Sequence, residues 1–207
     1  MKKLFAFIWN WVVPIAIGIL AYVAITTFWI NIVTINGDSM DPNLLDQQKV
    51  LVQKTQNVKR GDVVVFDARE EDPRIKTGNK DYVKRVIAVA GDTVSYKNGD
   101  LYVNDKKVDE SYISSDERNA GTASSFGSSW NLDSLAKTGL WSAEDQKETV
   151  VPKDSYFVLG DHRSVSNDSR YFGYIHKKHV IGKIHVPFWY SSTVKNNISK
   201  DSDHYFA

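Results

Sequence analysis

The chain has 207 residues, 26 basic against 25 acidic side chains, a formal net charge of +1 and no cysteine. This balance has neither the strong basicity of a nucleic-acid binder nor the bias of a disordered tail, so no nucleic-acid partner is expected. The lack of cysteine fits an exported bacterial domain that needs no disulfides. From Leu4 through Gly37 there is no charged residue, and most of "LFAFIWNWVVPIAIGILAYVAITTFWINIV" is apolar. A bilayer-spanning helix needs about 20 such residues. Trp9, Trp11, Phe28 and Trp29 stand near the ends of the run, where aromatic belts are expected, and Pro14 is tolerable in a membrane helix. Lys2 and Lys3 precede it, so the positive-inside rule predicts a cytoplasmic N-terminus and an outside location after about Val33. A cleaved signal peptide is the rival reading, but its apolar core runs to only about 7–15 residues, and "AYVAITTF" offers no clean exit site. A buried helix of a soluble domain is the weaker alternative. Residues 1–34 are therefore expected to be a short cytoplasmic stub and one transmembrane anchor.

Past the anchor, from 35 to 195, the texture becomes mainly β. "KVLVQK" (49–54), "DVVVFDA" (62–68), "DYVKRVIAVAGD" (81–92) and "SYFVLGD" (155–161) are short runs bounded by turn residues. Asn98-Gly99 between two alternating runs predicts a two-residue hairpin. A late strand is expected in "HVIGKIHVPFW" (179–189), interrupted by Gly182 and ended near Pro187. The stretch 110–150 turns polar and Ser/Gly-rich, as a surface excursion or small subdomain would, with a short helix within 132–143. Residues 196–207 read as a polar tail. The fold class predicted is an antiparallel β-sheet domain behind one N-terminal transmembrane helix.

Three stretches can carry chemistry. Ser39 lies in "INGDSMDPNLL", between Gly37 and Pro42, where a serine is usually a turn residue. As a nucleophile it needs a proton acceptor and oxyanion donors. Read as a strand, 81–92 puts Tyr82, Lys84, Val86, Ala88 and Ala90 on one face and Val83, Arg85, Ile87 and Val89 on the other. A lysine held among apolar neighbours loses solvation, and its pKa falls toward that of a usable base. Finally, "GDHRSVSNDSRYFG" (160–173) packs Asp161, Arg163, Asp168 and Arg170 with Ser164, Ser166 and Ser169, either as a solvated turn or as a shell that fixes a site.

In this order and wording the stretches resemble the type I signal peptidases, the membrane-anchored Ser/Lys endopeptidases of bacteria. "GDSMDPNLL" is similar to their nucleophile box, "RGDVVVF" to their second box, "YVKRVIAVAGD" to the lysine box and "GDHRSVSNDSRYFG" to the last box. The resemblance implies Ser39 as nucleophile and Lys84 as general base, with Tyr82, Val86 and Ala88 depressing the lysine pKa. It implies Ser166 orienting the Lys84 amine, Asp168 and Arg170 pairing to hold the loop, and the backbone from Gly37 to Ser39 as oxyanion hole. Met40, Pro42 and Tyr82 are expected at the substrate cleft, and Arg85 in a structural pairing with a carboxylate. Asn43, Ala88, Ala90 and His162 depart from common residues of these boxes, and Gly37 stands where some relatives carry a serine that joins the oxyanion hole.

The expected substrates are signal-peptide-bearing preproteins, cut after small residues, and the expected partners are the lipid bilayer and the export translocon. No metal or cofactor is implied, and the single anchor and short chain suggest a Gram-positive source. Three rival readings stand beside this one. A Ser/His/Asp hydrolase would use His162 with Asp161 or Asp168, without a nucleophile elbow. Metal hydrolysis through "HKKH" (176–179) would need ligands the sequence does not offer, so a solvated or capping role is expected there. A non-catalytic chaperone or assembly partner would be expected to lose the serine or the lysine, and both are present.

Overall fold

The computed structural model describes residues 2, 7–54, 57–75, 81–198 and 205–207. Residues 3–6 of the expected anchor, Lys3 among them, and 199–204 of the expected tail lie outside the described residues. A π-wound turn, Ile8–Val12, leads into helix α1 (Val13–Phe28), and no residue of either is buried. Together they form a 21-residue helix, Ile8–Phe28, about 31 Å long and so able to cross the hydrocarbon core. Its largely apolar surface is left uncovered by the described residues, as expected of an anchor. The Lys54 amine donates to the Thr27 carbonyl at 2.6 Å, placing a cation at the helix C-terminus, where the backbone dipole favours it.

Strand β1 (Ile30–Thr34) begins two residues after the helix. It lies inside the segment read from sequence as anchor. An uncharged run gives no mark where helix passes to strand, and pairing with the next strand decides it. There follow β2 (Lys49–Gln53), β3 (Val63–Asp67), β4 (Asp81–Val89), β5 (Val94–Lys97), β6 (Asp100–Val103), β7 (Lys106–Lys107), β8 (Ser129–Asn131), α2 (Leu132–Ala136), β9 (Ser155–Leu159), α3 (Ser169–Phe172), β10 (Ile175–His176), β11 (Val180–His185) and α4 (Ser192–Ile198). Seven strands form one sheet in the order β1-β2-β11-β3-β4-β9-β10, and β7-β6-β5-β8 form a second. Every pairing is antiparallel. The fold class read from sequence therefore holds.

Asn98 and Gly99 close the β5–β6 hairpin with φ of 53° and 94°, the left-handed pair that a two-residue turn of this hand requires. In β11 the register shifts between Val180 and Gly182. A Cβ at Gly182 would stand 2.3 Å from the Gln53 carbonyl oxygen, so only glycine lets the strands close there.

The stretch 110–150 is more than a surface excursion. It supplies β8 and α2, and buries Trp130, Leu132, Leu135 and Trp141 against Ile87, Phe157 and Leu159. The C-terminus also differs from a polar tail at both described ends. Ile198 packs against Ile35, Leu44 and Ile184, while Tyr205 is buried beside Ile87 and Val108 and Ala207 donates to the Lys107 carbonyl at 3.0 Å.

Candidate active site

Lys84 sits in the middle of the large sheet, on β4 opposite Val64 of β3. The residue is 3% exposed. Its Nζ lies 2.8 Å from Ser39 Oγ and donates to the Val83 carbonyl at 3.0 Å. No salt bridge reaches it among the described residues. Burial pulls the Lys84 pKa down to about 8, against the pull of Asp168 and Asp161, which favour the charged form, and with help from Arg170. Tyr82 stands with its ring centroid 5.1 Å from Nζ, and Val86 is buried on the same side. Ala88, expected beside them, is not. The β4–β9 register slips by one residue between Val86 and Ala88, and a bulge turns the side chains beyond it to the other face, where Ala88 joins Ile87 and Phe157.

Ser39 stands in a turn in which the Asp41 N–H donates to the Asp38 carbonyl at 3.0 Å. Gly37 opens this segment with φ +100°, and its N–H is already given to Asp46 Oδ1 at 2.8 Å. Of the expected oxyanion donors that leaves Asp38 and Ser39, whose N–H groups donate to no acceptor among the described residues. His162 fixes the turn from behind. Its N–H donates to the Ser39 carbonyl at 3.1 Å, and its Nδ1 lies 3.1 Å from the Asp38 carbonyl. The imidazole is thus turned to the backbone and makes no bond to Ser39 Oγ, which removes the Ser/His/Asp arrangement.

The last stretch forms the support. Arg170 grips Asp168 with Nε and Nη2, both at 2.9 Å, and Asp168 accepts the Gly160 N–H at 3.1 Å. Burial opposes the charge on Asp168, but Arg170 and Gly160 hold its carboxyl below the usual range. Ser166 Oγ is buried without a hydrogen bond, so in this state it does not hold the Lys84 amine as expected. It presses on Gly160, where a Cβ would stand 2.2 Å from Ser166 Oγ and 2.5 Å from the Ser39 carbonyl oxygen. Gly160 is therefore required for the loop to close on Ser39.

A second set of residues links the serine turn to the lysine strand: it gives Arg85 the carboxylate partner expected of it and adds Asn43 and Tyr112, whose part the sequence does not show. Asp161 grips Arg85 at 2.8 and 2.7 Å, and Arg85 stacks 3.9 Å above the Tyr112 ring. Asn43, just past Ser39, donates to Asp161 Oδ2 and to the Tyr112 carbonyl, each at 2.8 Å. Arg163 pairs with Glu110 at 2.5 Å. The sequence signals this through the density of charge in 160–170 and the buried strand position of Arg85, but it does not name the partners, which lie 76 and 118 positions apart.

A cleft of about 520 Å³ runs past the dyad, lined in part by Val33, Ile35, Met40, Val65, Tyr82 and Val165. Met40 and Tyr82 fall where expected. Pro42 does not line it: the Asn43 and Leu44 N–H groups fold back onto the Met40 carbonyl and carry the chain away. Beside the cleft, Tyr82 donates to Asp72 Oδ2 at 3.3 Å, which also accepts from Asn167. Elsewhere, Glu71, His176 and His179 converge: the two Nδ1 atoms lie 3.0 and 2.7 Å from the Glu71 carboxylate. The "HKKH" histidines are thus paired with a buried acid rather than simply solvated.

Behind an apolar helix and on an antiparallel sheet, a buried lysine with no carboxylate of its own thus stands against a serine hydroxyl, an arrangement in which the amine can take the hydroxyl proton. Residues 8–189 match the family model described as signal peptidase, peptidase S26. Signal peptidase IB of Staphylococcus aureus (strain Mu50 / ATCC 700699) is 38% identical over 205 residues, 93% of this chain and 95% of that one. Signal peptidase I of Streptococcus pneumoniae (strain ATCC BAA-255 / R6) is 38% identical over 177 residues, 78% and 83% of the two chains. A solved signal peptidase I from Enterococcus faecalis V583 is 32% identical, with a TM-score of 0.47, over 61% of this chain and 96% of that one. The chain belongs to the signal peptidase family, peptidase S26.

Proposed function

We propose that this signal peptidase removes signal peptides from exported preproteins with Ser39 as nucleophile and Lys84 as general base. The observation that carries the reading is the 2.8 Å contact between Lys84 Nζ and Ser39 Oγ, made by a lysine whose burial leaves it largely able to shed its proton near pH 8. Ser39 Oγ attacks the scissile carbonyl carbon as its proton passes to Nζ. The carbonyl oxygen becomes an oxyanion that accepts the Ser39 N–H. Collapse breaks the C–N bond, Lys84 returns the proton to the leaving amine, and an acyl ester on Ser39 remains. Water then attacks the ester, Lys84 takes its proton, and the carboxylate product leaves as the proton goes back to Ser39. Asp168, Arg170 and Ser166 hold the loop that backs the dyad, and Gly37 shapes the oxyanion turn.

The apolar lining at Ile35, Met40, Val65 and Val83 favours small side chains at the first and third positions before the bond, since larger ones would clash. The N-terminus is placed in the cytoplasm and the β domain outside, as the lysine before the helix favours. Lipid is the natural neighbour of α1 and of the exposed Trp29, Ile32, Phe188 and Trp189. Delivery of substrate by the export translocon and a Gram-positive source complete the reading.

The test is cleavage of a signal-peptide-bearing precursor in detergent. Ser39→Ala and Lys84→Ala are each expected to lose at least about 10³-fold in rate, while His162→Ala stays active. Cleavage by Lys84→Ala at a comparable rate would contradict the assignment.

A further inference from the structure

We infer that Glu71, His176 and His179 form a binding site for a divalent transition metal, zinc being the best chemical match, apart from the Ser39–Lys84 dyad. Three separate elements bring these residues together: the turn after β3, the end of β10 and the turn before β11. One ligand atom from each lies within 4.8 Å of the other two. His176 Nδ1 is 3.0 Å from Glu71 Oε2 and His179 Nδ1 is 2.7 Å from Glu71 Oε1. Around a tetrahedral zinc ion with bonds of about 2.0–2.2 Å, neighbouring ligand atoms stand about 3.3–3.6 Å apart. The two contacts to Glu71 are shorter than that, so an ion entering between them would spread the carboxylate and the imidazoles slightly from their present positions. A metal entering the cluster displaces the protons that now bridge imidazole and carboxylate.

The donor set chooses the ion. Two imidazoles and one carboxylate suit zinc and its neighbours, whereas magnesium and calcium prefer oxygen alone. The Glu71 side chain is 3% exposed and that of His176 42%, so the acid is fixed inside while one histidine stays open to solvent. The His176 N–H also donates to Glu71 Oε1 at 2.7 Å, which holds the carboxylate in its orientation.

The site has a route to the cleft. Asp72 follows Glu71 directly, its N–H donates to the Ala68 carbonyl at 2.8 Å, and its carboxylate holds Tyr82 and Asn167, both of which line the cleft. A metal on Glu71 braces this turn and, through Asp72, one wall of the cleft. The plainer account, that two histidines merely neutralise a buried glutamate, requires no metal affinity.

The full chain in detergent, stripped with chelator, is titrated with ZnCl₂ by calorimetry. One site tighter than about 30 µM is expected, with Tm raised by about 5 °C or more at saturating zinc. His176→Ala and His179→Ala weaken binding at least tenfold, while His185→Ala and Ser39→Ala leave it unchanged, the latter whether or not Ser39 is the nucleophile. Co²⁺ on the unaltered chain gives visible d–d bands that zinc abolishes, a readout that needs no variant to fold. No site tighter than about 30 µM, or one that survives His176→Ala, overturns the inference.

Discussion

Lys84 and Arg85 are consecutive, cationic and buried, and β4 sends them to opposite faces of the sheet. Arg85 meets a full set of acceptors, with Asp161 gripping it twice and the Gly61 carbonyl at 3.0 Å. Lys84 meets a hydroxyl and a single carbonyl. Burial penalises both charges, and the difference lies in what answers it. On Arg85 burial is outweighed and the guanidinium pKa is raised. On Lys84 burial prevails and the ammonium is pulled down to about 8. A buried cation with a dedicated carboxylate is a brace, and one without is free to shed its proton, as the proposed base must.

The largest effect is expected from breaking the brace. Asp161→Ala strands a buried guanidinium and should destabilise the protein by about 3–5 kcal/mol. The double variant Arg85→Met/Asp161→Leu, which removes both charges, should recover most of that loss in a denaturant titration. If the single variant costs under about 1 kcal/mol, the pair is not holding the sheet.

Relieving the base comes next. Folding lowers the Lys84 pKa from 10.5 to about 8, so between these values the unfolded chain binds more protons. Stability from this group therefore rises with pH across that window, and below about 8 the whole penalty, about 3 kcal/mol, applies. Lys84→Met should raise stability at pH 7 by up to about 3 kcal/mol, lose that advantage by pH 10.5, and abolish cleavage. Melting curves over this pH range decide the matter, and a variant less stable than the parent at pH 7 would show the amine to be well solvated.

Asn43 couples the two cations, since it ties the nucleophile turn to the carboxylate of the brace. Asn43→Ala removes a bond to a buried charge, worth about 2 kcal/mol, and is expected to slow cleavage more than it weakens precursor binding. The smallest effect belongs to His162→Ala, which should cost under about 1 kcal/mol and leave the pH profile in place. A lost or shifted alkaline limb in that variant would return the imidazole to the chemistry.

What was legible in the sequence follows from range. The hairpin at Asn98-Gly99, the alternation around Lys84 and the apolar helix are local patterns, and each stands in the structure. So does the Asp168–Arg170 pair, two residues apart. The bulge that removes Ala88 from the lysine's surroundings is not local, because it depends on how β4 meets β9. β1 was hidden by the uncharged run that it shares with the anchor. The bonds from Asn43 to Asp161 and from Glu71 to His179 join residues 118 and 108 positions apart, and no spacing rule reaches that far. Ser166 was given a partner that its hydroxyl does not meet.

The most direct measurement is kcat/KM for precursor cleavage as a function of pH, which reports the free enzyme's essential base. A rising limb with its midpoint near 8 is the predicted result, the value set by a buried amine without a carboxylate of its own. A midpoint near 6.5, where histidine titrates, or near 10.4, where a solvated lysine does, would contradict it.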